Sequence, residues 1–219
     1  RNQVYISNFH IVINSLNTSK TVYQHLVKRK AQSFSNRIIN KWEQDANQGF
    51  YLNREFISNS FKRITAATIS PKHRAFQFRL IHRILVTNKT LCEWKIKEQN
   101  LCSFCNSETE TIYHLLWGCT ITQELWREVF QWLREKTQVD IIFTSKEILF
   151  GIENNMFLMH DAIFIFVKQY IYAARCRNSL PNINEIMNII KYNVQVEKYI
   201  ATKNDKLTYH NRKWALLNT

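Results

Sequence analysis

Four residues in the middle of the chain have the types and the spacing of a zinc site. They are Cys102, Cys105, His114 and Cys119, and they form the pattern C-x2-C-x8-H-x4-C. Structural zinc takes four thiolate or imidazole ligands in a tetrahedron, and a C-x2-C turn brings two sulfurs onto one ion. Because four protein ligands leave no position for water or substrate, the pattern predicts one structural Zn²⁺ and not a catalytic one.

Other interpretations of these residues stay open at this point. They could be unrelated buried side chains, or the C-x2-C pair could be a redox motif. The short span and the ligand order favour zinc, and a redox pair is expected beside a βαβ unit, which the pattern of this sequence does not predict. The other charged residues from position 98 to 119 are Glu98, Glu108 and Glu110. We therefore expect this acidic module to hold neighbouring helices together and not to grip phosphates itself.

A second chemical feature is a basic segment without acids. No Asp or Glu occurs between Glu55 and Glu93. On a helical wheel for Pro71–Leu85, one side is apolar and includes Phe78 and Ile84, and Arg74 falls near its edge. The other side carries Lys72, Arg79, His82 and Arg83. Such a stripe can follow a phosphate backbone, whereas an ordinary solvated helix mixes both signs of charge. The residues predicted to contact nucleic acid are Lys62, Arg63, Lys72, Arg74, Arg79, His82, Arg83 and Lys89. A solvated basic face is the alternative.

The charge of the whole chain supports a polyanionic partner. Thirty Lys and Arg against 17 Asp and Glu give a net charge of +13. Residues 1–100 hold 17 basic and 5 acidic residues (+12), and residues 101–219 hold 13 and 12 (+1). Segregation of this kind favours nucleic acid or an anionic membrane. The longest apolar run, Met156–Val167, is interrupted by His160 and Asp161 and is too short to span a bilayer, so we expect no membrane.

The elements that must position these residues are predicted to be helices. Three Gly and two Pro are too few for the many turns of a β-sandwich or for glycine-rich phosphate loops. We predict a mainly α fold, an irregular helical domain with a small zinc-stapled CCHC module. A short strand or hairpin is predicted at Val4–Ile13. The predicted helices are Ser19–Lys30, Ser35–Ala46, Leu52–Thr65, Pro71–Leu85, one capped by Asn88, Glu110–Trp117, Thr122–Lys136, a central Asn155–Cys176, Ile183–Ile200 and Lys206–Trp214.

No catalytic constellation is visible in the sequence. Asp occurs only at 45, 140, 161 and 205, each isolated, so a pair for two-metal chemistry is not expected. The G-x-S-x-G and H-E-x-x-H motifs are also missing from the sequence. We therefore expect no enzymatic activity in this chain. Without a signal-peptide pattern at the start of the sequence, an intracellular setting is expected.

Several segments together resemble one family. They are HRAFQFRLIHRILVTNK (His73–Lys89), LCSFC (Leu101–Cys105), ETIYHLLWGC (Glu110–Cys119) and Leu125-Trp126, with weaker likeness at Lys168–Arg175, Glu197–Ala201 and Lys213-Trp214. They resemble the zinc-binding region that follows the polymerase and thumb of non-LTR (LINE-type) retrotransposon reverse transcriptases. The resemblance covers roughly residues 60–219 and is strongest at 72–126.

The resemblance implies a role in target-primed reverse transcription. The parent protein would be an RNA-directed DNA polymerase, and this segment would hold template RNA or target DNA. The Tyr-x-Asp-Asp signature of the polymerase is missing from this sequence. The implied partners are nucleic acid and the parent polymerase domain, in a ribonucleoprotein of nucleus and cytoplasm. We divide the chain into a basic helical connector after the thumb (1–70), the basic helix with the zinc module (71–137) and a helical C-terminal subdomain (138–219). The alternative is a structural domain that docks on the polymerase or another protein without touching nucleic acid.

Overall fold

The computed structural model describes residues 36–43 and 51–217. The chain divides into two compact units, Arg1–Ser58 and Asn59–Thr219. The described residues form helices joined by turns, and no β-strand occurs among them. The predicted mainly α fold is therefore confirmed, and the three-part division of the chain stays a prediction. The predicted strand at Val4–Ile13 and the predicted helix Ser19–Lys30 lie outside the described residues.

In the first unit, helix α1 covers residues 36–43 and helix α2, Arg54–Ala67, begins. The Asn53 side chain caps α2, because its Oδ1 accepts a hydrogen bond from the Phe56 N–H at 2.7 Å. The Arg54 Nε donates to the Asn36 Oδ1 at 2.9 Å, which links the two helices. Helix α2 continues into the second unit.

The second unit is built around one apolar helix. Its elements are α3 (Pro71–Ile81), α4 (Asn88–Glu93), a π-helical turn (His114–Gly118), α5 (Thr120–Thr137), α6 (Ser145–Phe150), a 3-10 turn (Asn155–Phe157), α7 (Leu158–Cys176), α8 (Ile183–Lys203), α9 (Leu207–Trp214) and a 3-10 turn (Ala215–Leu217). Helix α7 is buried nearly all round and contacts α3, α6, α8, α9 and the π-helical turn. This confirms the predicted central helix. A helix that is apolar on all sides is typical of a buried core. Among the described residues, none of the helices combines the length and the hydrophobicity that a membrane span needs.

Aromatic side chains join α5 to the central helix. The Trp126 ring stacks on Phe130 at 5.6 Å and meets the Phe164 ring of α7 edge-on at 5.6 Å. The Trp126 Nε1 donates to the Leu116 carbonyl at 2.8 Å, so the indole also holds the π-helical turn. The N–H of a buried indole usually has an acceptor, and here the acceptor belongs to the segment that carries His114.

Helix α3 ends four residues earlier than the sequence predicts. The Arg83 N–H donates to the Leu80 carbonyl at 2.8 Å and the Ile84 N–H donates to the Arg79 carbonyl at 3.0 Å, which is the Schellman pattern. Arg83 takes the left-handed conformation that the motif requires, with φ 52°. Glycine usually fills this position. Here Arg83 takes it, and the helical wheel no longer applies beyond Ile81.

The apolar face predicted for Pro71–Leu85 is wrong at two positions. Phe78 and Ile84 are 46% and 51% exposed. The buried residues of α3 are His73, Phe76, Gln77, Leu80 and Ile81. Gln77 can lie in the interior because its Nε2 donates to the Leu149 carbonyl at 2.6 Å. A polar side chain with a hydrogen-bond partner can thus take a buried position that hydrophobicity alone assigns to the exposed side.

Candidate metal centre

A tight loop places the first two cysteines. The Cys102 N–H donates to the Glu108 carbonyl at 2.8 Å, and the Asn106 N–H donates to the Cys102 carbonyl at 3.0 Å. Asn106 has φ 52°, a left-handed conformation that Asn tolerates better than most residues. An isolated antiparallel bridge between Leu101 and Thr109 closes the base of the loop. The sulfurs of Cys102 and Cys105 therefore project from a short, internally bonded turn.

The other two ligands are separated by four residues and are brought together by an unusual helical turn. His114–Gly118 is π-helical, and the Cys119 N–H donates to the His114 carbonyl at 2.7 Å. Residues five apart do not share a face of an α-helix, whereas an i→i+5 bond puts them about one turn apart. Cys119 is also the N-cap residue of α5, so that helix begins directly after the π-helical turn.

The four ligand atoms form a compact cluster. All of them lie within 4.8 Å of one another. The Sγ atoms of Cys102 and Cys119 are 3.8 Å apart, and Cys105 Sγ is 3.3 Å from His114 Nε2. With Zn–S bonds of about 2.3 Å, two sulfurs of a tetrahedral site lie about 3.8 Å apart, so the donor set fits zinc. Cys102 and Cys119 are fully buried, His114 is buried and Cys105 is half-buried.

Hydrogen bonds from neighbouring residues orient these ligands. Glu108 Oε2 lies 3.2 Å from His114 Nδ1, which directs Nε2 of the same ring toward the sulfurs. The Ser107 hydroxyl donates to Cys105 Sγ at 3.2 Å, and the Phe104 N–H donates to Cys102 Sγ at 3.4 Å. A carboxylate on the outer nitrogen of a ligating histidine fixes its tautomer and raises its basicity. Glu108 thus orients a metal ligand, a role that its charge in the sequence did not predict.

Proton affinities in the cluster are strongly shifted by the ligands themselves. The Cys102 thiol donates to the Cys119 sulfur and lowers the pKa of Cys119 to about 3, while the same bond and burial raise the pKa of Cys102. Hydrogen bonding to Cys119 raises the pKa of His114 to about 9. Because zinc binds thiolates and neutral imidazole, its binding must release the protons that these groups share.

Comparison with known proteins agrees with this geometry. A family model described as zinc-binding in reverse transcriptase matches residues 17–126, half of the chain, including all four clustered ligands. The chain belongs to this family. The resemblance inferred from the sequence is thereby confirmed at the level of the family.

A buried acid anchors the zinc-binding segment to the central helix. Glu110 is fully buried, and its Oε2 accepts hydrogen bonds from the Ser103 N–H at 2.8 Å and the Ser103 hydroxyl at 2.6 Å. Its Oε1 accepts from the Asn88 N–H at 2.7 Å and pairs with the Arg175 guanidinium of α7 at 2.9 Å. Ser103 lies between the first two cysteines, so Glu110 connects the metal loop to the core. The sequence showed Glu110 only as one of three acids.

The same network corrects the predicted role of Asn88. Thr87 occupies the N-cap position of α4, and Asn88 is the first helical residue. Asn88 Nδ2 donates to the Leu101 carbonyl at 2.7 Å, and its Oδ1 accepts from Arg175 at 2.8 Å and from Lys97 at 2.9 Å. The Asn88 side chain therefore joins the metal loop to α7. The sequence predicted that Asn88 caps its own helix, and this prediction is wrong.

The predicted nucleic-acid contacts of the zinc-binding domain lie in three environments. Lys62, Lys72 and Arg79 are exposed; Arg74, Arg83 and Lys89 are half-buried; Arg63 and His82 are buried. None of these basic side chains belongs to the zinc cluster, and Lys89 is joined to the metal loop through its N–H, which donates to the Glu110 carbonyl at 3.3 Å. Their contact with nucleic acid stays a prediction.

Two of the arginines hold the fold. The Arg63 guanidinium donates to the Gly151 carbonyl at 2.8 Å and lies 3.4 Å from Glu153 Oε1. Arg74 donates to the Thr68 carbonyl at 2.6 Å and to the Thr65 carbonyl at 2.9 Å. Arginine donors that are used in this way are not available to a phosphate without loss of those bonds.

Proposed function

We propose that this chain is the zinc- and nucleic-acid-binding segment of a non-LTR (LINE-type) retrotransposon reverse transcriptase. It would hold template RNA or target DNA during target-primed reverse transcription. Polymerisation would belong to another domain of the parent protein, in a ribonucleoprotein of nucleus and cytoplasm. The observation that carries the proposal is the exposure of Lys62, Lys72 and Arg79 in a segment without acids, and we call these three side chains the basic face.

Zinc supplies stability in this proposal. Cys102, Cys105, His114 and Cys119 would hold one Zn²⁺, and no ligand position would remain for water or substrate. The ion would fix the loop and the start of α5 relative to each other. Its binding energy would be folding energy, since the unfolded segment has no preformed site.

The surroundings of the basic face suit a nucleic acid. Lys62 and Arg79 each follow an aromatic residue, Phe61 and Phe78, whose rings lie 5.6 Å apart. Phe78 is 46% exposed, and its ring lies 4.1 Å from the His82 ring. Exposed cations can bind phosphates, and an exposed aromatic ring can offer a base a stacking surface. A face made only for solubility has no need of such rings.

The test is a binding titration over a salt series. The zinc-loaded chain is titrated into a fluorescent RNA hairpin and a DNA duplex, and anisotropy is read from low salt to about 0.2 M. The variant K62Q/R79Q removes two exposed cations. The matched control R127Q/K136Q removes two exposed cations of α5.

The expected result is a steep loss of affinity with salt for the wild type and a weaker, shallower dependence for K62Q/R79Q alone. Each phosphate contact contributes about 0.9 to the slope of log K against log salt on duplex DNA, so the slope should fall by about 2. Equal behaviour of K62Q/R79Q and R127Q/K136Q would contradict the proposed face. The ratio of the affinities for the RNA hairpin and the DNA duplex would show which nucleic acid the chain prefers.

A second candidate function is docking on the polymerase domain. Trp94 and Ile96, directly after α4, are 57% and 67% exposed. Two large apolar side chains so close together favour a protein contact. Salt-insensitive binding of the purified polymerase domain that W94S abolishes, together with failure to bind nucleic acid, would favour this candidate.

A further inference from the structure

A groove in the second unit runs between α7 and α8 and opens beside the first turn of α3. Its volume is about 630 Å³, within the range of about 300–1,000 Å³ that is usual for sites of compact organic groups. Its walls include Phe166, Tyr170 and Ala173 of α7 and Ile189, Tyr192 and Val196 of α8. Both sets repeat at helical spacing, as core-facing stripes do. Here the two stripes leave space between them.

The polar groups of the groove are of the kinds that recognise nucleotides. Tyr192 is 66% exposed and lines the groove, so its ring is open to stacking. Gln169 and Asn193 lie on opposite walls, and amides can pair with the edges of bases. The Asn193 Nδ2 donates to the Ile189 carbonyl at 2.8 Å, which leaves its Oδ1 as the acceptor it can offer. Lys72 in the first turn of α3 and Arg177, directly after α7, are both exposed and line the groove.

The charge of the groove favours an anion. Glu197 also lines it, but its Oε2 accepts from Lys213 Nζ at 2.7 Å and from Trp214 Nε1 at 3.1 Å. Lys213 thus compensates the one carboxylate of the lining. Arg177 lies 3.5 Å from Glu185, a pair in which both side chains are more than half exposed and which therefore contributes little.

We propose that this groove binds an unstacked nucleotide of single-stranded nucleic acid. The base would lie on Tyr192 between the apolar walls, and the adjoining phosphates would bind Lys72 and Arg177. The inference rests on the proposed function, and Lys72 belongs to both the basic face and the groove. A duplex keeps its bases stacked and paired inside, so only an unpaired strand can place a base there.

The experiment compares two tyrosines of the same helix. Tyr192 and Tyr199 are 66% and 65% exposed, and Tyr199 is not part of the lining. The full zinc-loaded chain and the variants Y192A and Y199A are titrated with an oligouridine of about 12 nucleotides, a length typical of single-strand sites, and with an RNA duplex of equal length. Stacking of one base is usually worth about fivefold or more in affinity.

We expect Y192A to bind the oligouridine at least about fivefold more weakly, with duplex affinity unchanged, and Y199A to match the wild type with both. A 4-thiouridine oligomer should crosslink to the peptide that contains Tyr192. Equal affinities of Y192A and Y199A for the single strand would overturn the inference, as would equal losses with single strand and duplex.

The two proposals fail in different ways. If K62Q/R79Q loses affinity for both nucleic acids while Y192A binds like the wild type, the basic face stands and the groove is wrong. If Y192A alone loses single-strand affinity, the groove stands and the face is wrong. A wild-type chain that is folded and loaded with zinc, but binds neither probe, overturns both.

Discussion

Glu110 offers the most demanding test of how the zinc-binding segment is held. Replacing it by Gln removes the charge that faces Arg175 and exchanges one acceptor oxygen for an NH2 group. Arg175 is 9% exposed and Glu110 fully buried, so the guanidinium would remain in the interior without its carboxylate. The Asn88 and Ser103 donors would compete for a single remaining oxygen. All of these losses act on the same side of the metal loop.

The magnitude follows from the contacts. Removing one partner of a buried ion pair costs about 3–5 kcal/mol, because the other charge stays buried. The Glu110 carboxylate also accepts three hydrogen bonds of 2.6 to 2.8 Å from Asn88 and Ser103, so the upper half of that range applies. For a chain of this length, about 4 kcal/mol corresponds to a fall in Tm of about 8–16 °C.

The assay is urea unfolding of the zinc-loaded chain as a double-mutant cycle. E110Q, R175M and E110Q/R175M are compared with E124Q, a matched change at an exposed position of α5. E124Q should stay within about 0.5 kcal/mol of the wild type. Since the double variant leaves no buried charge unpaired, it should lose at least about 1 kcal/mol less than the sum of the single variants. A loss below about 1 kcal/mol for E110Q, or strict additivity in the cycle, would refute this account of the network.

Two further predictions concern the ligand sphere and the core. E108A should weaken zinc binding about tenfold in a chelator competition, because His114 loses the carboxylate at 3.2 Å that orients its ring, whereas E124A should leave zinc affinity unchanged. H160F should stabilise the chain and reduce the stability that it loses between about pH 6.5 and pH 4. Burial lowers the pKa of His160 to about 4. Between these two pH values the imidazole is therefore protonated in the unfolded state and neutral in the folded state, which favours unfolding of the wild type as the pH falls. Urea midpoints at both ends of the window check this, and an unchanged pH profile in H160F would contradict it.

The metal ligands were predictable because their chemistry is local. Two cysteines three positions apart can reach one ion through a single turn, and the order of His114 and Cys119 completes the donor set within 18 residues. No long-range information is needed for such a site. Only the π-helical turn that makes the last spacing work was beyond the sequence pattern, which predicted an ordinary helix there.

The partners of the buried charges were not predictable in this way. Glu110 and Arg175 are 65 positions apart, and Arg63 finds Gly151 and Glu153 at separations of 88 and 90. The sequence shows how many basic residues a segment holds, but not which of them form hydrogen bonds and ion pairs within the folded protein. The basic segment contained both kinds, which is why exposed Arg79 and buried Arg63 were indistinguishable before the structure.

The metal site and the Glu110 network act on neighbouring residues of one loop. Cys102 gives its sulfur to the cluster, and Ser103, the next residue, gives its N–H and hydroxyl to Glu110. On the other side of the loop, Glu108 turns toward His114 while Glu110 turns toward Arg175. The loop is therefore held from both faces, by ligands on one and by a buried ion pair on the other. A loop whose own residues are largely polar cannot be fixed by apolar burial alone, so loss of zinc should loosen the Ser103–Glu110 contact and, through it, the attachment of the loop to the central helix.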